Sequence, residues 1–172
     1  MKAGARLDGS ERRTYYTIFM KLYLIRGPSG TGKSTVGANI VNKSGSAGCS
    51  WFPWFETDQF FMLNGVYKFD ISKLKIAHQW NQLRVEHAMF HGADIVCTNT
   101  FIALWELEHY LELAEQYKYE VTIIRSPGPW SVENSASRNK HSVPPDVIKR
   151  HINSYQPHHN EIEWTDLSIF NT

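Results

Sequence analysis

The run Gly27-Pro28-Ser29-Gly30-Thr31-Gly32-Lys33-Ser34-Thr35 has residue types and spacing suited to holding phosphate. Its glycines let the backbone adopt positive φ angles, so successive N–H groups turn inward and make a nest for an anion. Lys33 adds a mobile positive charge for the outer phosphates of a nucleotide, and Ser34 a hydroxyl ligand for Mg²⁺. Gly-x-x-x-x-Gly-Lys-Ser is the spacing of a phosphate-binding loop, so residues 27–35 are the expected nucleotide-binding segment. An Asn-Lys-x-Asp segment for reading guanine is missing, because Asn139-Lys140-His141 lacks the acid; ATP is the favoured nucleotide.

Two more residues have the chemistry that phosphoryl transfer uses. Asp58 carries a carboxylate, ionised at neutral pH, that can orient an attacking hydroxyl and take its proton. Arg138 sits in a polar, proline-flanked segment over about 130–142, with Ser131, Asn134, Ser135, Ser137 and Asn139, that reads as a mobile lid carrying a guanidinium over the phosphates. Lys140 is a second cation of that lid, whereas Arg150 reads as an ion-pair partner of Asp146 one helical turn earlier. Gln79, Asn81 and Arg84 are spaced to share a face or edge of one helix, and Arg84 is the candidate ligand of a substrate phosphate. Trp51, Phe52, Trp54, Phe55, Phe60 and Phe61 flank Asp58; aromatic clusters of this kind more often form core than stack on bases. His158-His159 has no second ligand pair at metal spacing and reads as surface loop, and Cys97 as a core residue.

These residues need a scaffold. Met20 to Ile25 is a near-continuous apolar strand, as a parallel sheet covered on both faces requires. Val36 to Lys43 reads as a helix, Ser44 to Ser50 as a loop, and Trp51 to Thr57 as containing a second strand that ends at Glu56-Thr57-Asp58, limited by Pro53. Ser72 to His91 is helical, with Ala77, Trp80, Leu83 and Ala88 on the apolar side and Gly92 as the stop. Ala93 to Thr100 holds a third strand. Leu104, Leu107, Leu111 and Ala114 mark the inner face of the next helix, with Glu108, Glu112 and Glu115 outside. Tyr119 to Arg125 is a fourth strand, and Pro144-Pro145 open a last helix whose inner face is Val147, Ile148, Ile152 and Tyr155. Strands alternating with helices predict an α/β fold, a three-layer parallel sheet with helices on both faces, in which Asp58 lies at the carboxyl ends of the strands where ligand crevices form. The tail from Gln156 adds at most an edge strand.

With 172 residues, one domain over 20–172 preceded by a flexible extension over 1–19 is expected. Lys plus Arg number 18 and Asp plus Glu 17, a net charge of +1, which excludes a surface built throughout for nucleic acid and leaves room for a local cationic cleft around Lys33, Arg84 and Arg138. Two isolated cysteines exclude a disulfide scaffold, and no apolar run is long enough to span a membrane; a cytoplasmic location is the expectation.

Taken together, the 27–35 loop, Thr57-Asp58, Ala77-His78-Gln79-Trp80-Asn81-Gln82-x-Arg84, Asn99-Thr100, Trp105-Glu106 and Arg138-Asn139-Lys140-His141-x-Val143-Pro144 resemble the polynucleotide-kinase-like branch of P-loop kinases, over about Met20 to Tyr155. The loop is common to many families; the 78–82 and 138–144 segments are more specific. The resemblance implies Mg²⁺-dependent transfer of the γ-phosphate of ATP to a hydroxyl, the 5′-OH of a nucleic acid end in the name-giving members. It implies Asp58 as general base, the 77–84 helix with Gln79 and Arg84 near the acceptor, and Asn99 orienting acceptor or γ-phosphate. One feature departs from the pattern: where many P-loop kinases end the third strand on an acid, this chain has Cys97-Thr98-Asn99-Thr100, leaving Mg²⁺ to Ser34, phosphates and waters, with Asp58 nearby. The competing readings are a kinase of a nucleoside, nucleotide or small hydroxyl-bearing metabolite, and a non-catalytic ATP-binding regulatory module. Asp58 and Arg138 argue for catalysis, since binding alone needs neither. A nucleic acid acceptor is expected to be gripped only by its terminal few nucleotides, and the oligomeric state is open.

Overall fold

Leu22, Leu24 and Ile25 are fully buried and Tyr23 nearly so, as a strand covered on both faces demands. This strand, β1 (Lys21–Arg26), is central in a five-stranded sheet of the computed structural model, which describes residues 20–45 and 53–165. The expected extension over 1–19, Cys49, Trp51, Phe52 and the tail from Asp166 onward lie outside the described residues. β1 pairs in parallel with β5 (Ile95–Thr98) on one side and with β6 (Glu120–Arg125) on the other. β2 (Trp54–Phe55) adds to β5, and β7 (Ile162–Glu163) to β6, again in parallel. The tail therefore supplies the edge strand. β2 is only two residues long, because Pro53 has no N–H for the ladder and the chain turns into a short 3₁₀ helix at Thr57–Phe61.

Period-two alternation divides the core into two layers. Leu22, Leu24, Ile95, Cys97 and Ile123 face Val85 and Met89 of α2 (Leu74–Phe90) and Leu107 and Tyr110 of α3 (Trp105–Tyr117). Tyr23, Ile25, Val96 and Ile124 face Val36 and Ile40 of α1 (Lys33–Gly45), together with Trp164. Helices thus cover both faces, as expected for a P-loop kinase-like α/β fold. Two positions of α2 correct the expected face. Leu83, expected inside, is 65% exposed, whereas Asn81 is fully buried because Tyr110 Oη and Cys97 Sγ, at 3.0 and 3.6 Å, satisfy its amide N–H groups. Gly92 ends this helix with φ +68°, as its position suggested.

Two elements lie outside the main layers. β3 (Met62–Leu63) and β4 (Val66–Tyr67) form a hairpin around Asn64-Gly65, both at positive φ as a tight primed turn requires. The segment over 130–142, expected as a lid, contains α4 (Val132–Arg138), started by Ser131, whose Oγ accepts from Asn134 N, and is followed by α5 (Pro145–Ser154). Among the described residues no helix is long and apolar enough to cross a membrane.

Candidate active site

β1 delivers the chain into the phosphate loop, whose Gly27, Gly30 and Gly32 have φ of +143°, +78° and +92°. Glycine is demanded at the first two by space as well: a Cβ on Gly27 would stand 2.1 Å from Ser126 Oγ, and one on Gly30 1.9 Å from the carbonyl oxygen of Ser135. Helix α4 therefore lies directly against the loop. Thr31 Oγ1 donates to Pro28 O at 2.8 Å and shares a hydrogen bond with Ser126 Oγ, which ties the loop to the end of β6. Lys33 Nζ donates to Pro28 O at 2.8 Å, so the ammonium folds back over the loop. Burial lowers its pKa to about 8, against the opposing charges of Asp58 and Glu56.

Beside Lys33, the hydroxyl of Ser34 donates to Glu56 Oε1 at 2.9 Å. The same oxygen accepts from Thr98 Oγ1 at 2.6 Å, and Thr98 Oγ1 in turn accepts from Trp54 Nε1 at 2.9 Å. Glu56 leaves β2 level with the end of β5, continuing the register in which Phe55 faces Cys97.

Asp58 follows on the 3₁₀ turn. Its Oδ1 accepts from Tyr67 Oη at 3.0 Å, and His141 Nε2 stands 3.7 Å from its Oδ2. The rings of Tyr67 and His141 pack 4.4 Å apart, so the hairpin and the segment after α4 meet beside this carboxylate. Burial and the Asp58 charge push the Tyr67 hydroxyl well above its ordinary pKa, which keeps it a donor. Asn99 is buried with its carboxamide committed inside the fold: Oδ1 accepts from Thr57 N at 2.9 Å and Nδ2 donates to Cys97 Sγ at 3.6 Å. It holds the turn that carries Asp58.

The α2 residues separate. Arg84 Nη1 donates to Gln59 Oε1 at 2.6 Å, and its guanidinium lies 4.1 Å from the Trp80 ring centre and 4.6 Å from that of Phe55. These three side chains, with Leu83, His87 and Ala88, line an apolar groove next to the Asp58 turn. Gln79 is exposed and Asn81 belongs to the core. Phe61 is buried against Tyr67 and Phe69, whereas Phe60, partly buried, packs edge-on against Phe61 and Trp80.

At the end of α4 and just after it, Arg138 and Lys140 are exposed. Asn139 organises the turn after α4, donating from Nδ2 to Val143 O at 2.8 Å and accepting from His141 N at 3.1 Å. The expected pairing of Arg150 with Asp146 is not made: both are exposed, and no ion pair among the described residues joins them. The rings of His158 and His159 stack 4.4 Å apart instead of diverging, and among the described residues no cluster of three His, Cys, Asp or Glu could hold a metal by itself.

The AAA_33 family model, described as an AAA domain, matches residues 22–161. The chain belongs to this family. It is 34% identical over 149 residues to human NEDD4-binding protein 2, a match that covers 84% of this chain but only 8% of that protein's length. Among solved structures, a chain of the Pnkp1/Rnl/Hen1 RNA repair complex has a TM-score of 0.62 at 17% identity, over 82% of this chain and 45% of that one. The APS kinase CysC of Mycobacterium tuberculosis, in complex with AMPPNP and APS, also has a TM-score of 0.62, at 15% identity over 88% and 91%. These likenesses show the fold, that of P-loop kinases.

In this kinase-like AAA domain Lys33 lies within electrostatic reach of Asp58 and Glu56, Ser34 is hydrogen-bonded to Glu56, and Gln79 is exposed on α2. The structure also adds Glu56, Tyr67 and His141, to which no role fell from the sequence. Glu56 was visible only as the end of a strand. Tyr67 had the Asn64-Gly65 hairpin signal behind it, and His141 stood unassigned within the 138–144 segment.

Proposed function

We propose that the protein transfers the γ-phosphate of ATP to a hydroxyl, with the 5′-OH of a nucleic acid end as acceptor. The observation that supports this reading is that Lys33 and Asp58 lie close enough to act on each other electrostatically, one suited to phosphates and the other to an attacking hydroxyl. In this mechanism the acceptor oxygen attacks Pγ, the bond from Pγ to the bridging oxygen breaks, ADP leaves, and the acceptor proton goes to Asp58. Backbone N–H groups of residues 27–35 cradle the phosphates. Lys33 exchanges Pro28 O for phosphate oxygens, and Arg138 comes down from the lid onto the equatorial oxygens. Tyr67 keeps Oδ1 of Asp58 engaged, so the acceptor proton goes to Oδ2, the oxygen beside His141.

The donor set fits Mg²⁺, a hard cation that takes oxygen ligands: Ser34 has its proton engaged, so its lone pairs are available, in a cleft with two carboxylates. Ser34 and the phosphates would hold the ion, which when bound neutralises charge on the phosphate oxygens. Support for a polynucleotide acceptor comes from the groove beside the Asp58 turn, where the Arg84 guanidinium, stacked over Trp80 and Phe55, is a cation for a substrate phosphate. The similarity in fold to a chain of an RNA repair complex agrees with it.

The test is incubation with γ-labelled ATP, Mg²⁺ and a panel of 5′-OH DNA, 5′-OH RNA, nucleosides and nucleoside monophosphates. Label on the 5′ ends is expected. Label confined to the small acceptors would overturn the polynucleotide assignment, and label on none despite ATP binding would overturn transfer itself in favour of a regulatory module.

A further inference from the structure

The end of β5 is where a carboxylate is missing, and the structure shows what stands there instead. Thr98 closes the strand, and its hydroxyl donates to Glu56, which arrives from β2, one strand further from the loop. Glu56 Oε1 collects both hydroxyl protons, that of Ser34 and that of Thr98, and no hydrogen bond among the described residues ends on its Oε2. A serine whose proton is held by a carboxylate turns its lone pairs away from that carboxylate and donates them more strongly to a cation. We propose that Glu56 is the positioning carboxylate for the Mg²⁺ held by Ser34, replacing from the neighbouring strand the acid that β5 lacks. The inference rests on the nucleotide-binding reading of the preceding subsection.

The arrangement also explains why residue 98 is a threonine. With Oγ1 at 2.6 Å from Glu56 Oε1, an aspartate in its place would bring two anions into contact, and the pair would repel or share a proton. A single acid serves this corner, and either strand can carry it. Thr98 then acts as a spacer, held by Trp54 and fixing the rotamer of Glu56 through its hydroxyl. Asp58 is then not needed on the metal side, which has its own carboxylate.

The experiment titrates Mg²⁺ against the protein with a non-hydrolysable ATP analogue, alongside analogue binding in EDTA. For the wild type, Mg²⁺ is expected to tighten binding. Glu56→Gln is expected to raise the Mg²⁺ half-saturation roughly 10–100-fold while binding in EDTA stays the same or improves, which also reports that the variant is folded. Glu56→Gln combined with Thr98→Asp returns the acid from β5 and is expected to recover most of the Mg²⁺ response. Unchanged Mg²⁺ half-saturation in Glu56→Gln overturns the inference and leaves the functional reading standing. A wild type that does not bind the analogue overturns both. A measurement independent of any variant's folding uses wild-type protein with isotope-labelled glutamate carboxyls and Mn²⁺ in place of Mg²⁺: the Glu56 carboxyl resonance is expected to broaden away with analogue bound, and a sharp one overturns the proposal.

Discussion

At the scale of single residues, charge placement in the cleft makes two measurable statements. Asp58→Asn keeps the volume and an acceptor for Tyr67 Oη but loses the proton acceptor, so turnover is expected to fall about 10²–10⁴-fold with ATP affinity unchanged. Single-turnover transfer and equilibrium ATP titration separate the two quantities, and a variant with full activity would refute the role of Asp58. The second concerns Lys33, whose pKa burial lowers to about 8 with Asp58, Glu56 and His151 around it. Below that pH the free protein already carries the charge. Above it, binding of a polyphosphate must take up a proton, so ATP affinity weakens with rising pH by up to about tenfold per pH unit. Calorimetric titrations in two buffers of different ionisation enthalpy read this uptake directly at about pH 9; none there would contradict the assignment.

At the scale of elements, α4 and the phosphate loop touch at Gly30. Gly30→Ala would force a Cβ to within 1.9 Å of Ser135 O at a backbone φ of +78°, so α4 has to shift away from the loop. The left-handed conformation alone costs about 1–2 kcal/mol for a non-glycine residue, and melting temperature and ATP affinity are expected to drop together. Arg138→Ala is the opposite kind of change on the same helix: the side chain is exposed, so melting is expected to be unchanged while kcat falls on the order of 10³-fold. Equal kcat in variant and wild type would remove Arg138 from the mechanism. The elements differ in how far sequence pattern reveals them. β1, α3 and β6 carry long uninterrupted periodicities, and they form where expected. β2 keeps two residues, since pairing with β5 and not propensity defines it, and the face of α2 is misjudged because Asn81 finds its partners on α3 and β5.

At the scale of the whole molecule, Arg26 links parts of the chain that are far apart in sequence. Fully buried at the end of β1, it donates from Nε to Phe101 O at 3.0 Å, pairs through Nη1 with Glu161 at 2.8 Å, and packs against Tyr155. Glu161 also accepts from Tyr155 Oη and His158 N, so the tail is closed onto the base of the phosphate loop. Removing one partner of such a pair strands the other; Arg26→Ala is expected to cost about 3–5 kcal/mol in urea unfolding, and Arg26→Lys less. A loss below about 1 kcal/mol would show that the tail is not tied down this way.

The sequence by itself determined the phosphate loop, the α/β layering and the position of Asp58 beyond a strand, because each is written in local spacing: glycines set the turns, and apolar periods set the faces. Only the tertiary structure decided which groups meet. Thr98, Glu56 and Ser34 are separated by 22 to 64 positions in the chain and carry no common spacing, yet in the fold, with β2 paired in parallel with β5, the hydroxyl oxygens of Ser34 and Thr98 both lie within 3 Å of Glu56 Oε1. Tyr67 and His141 likewise converge on Asp58 from a hairpin and from the segment after α4. Neither meeting can be read from local pattern, since sheet order and loop closure depend on burial of the whole core.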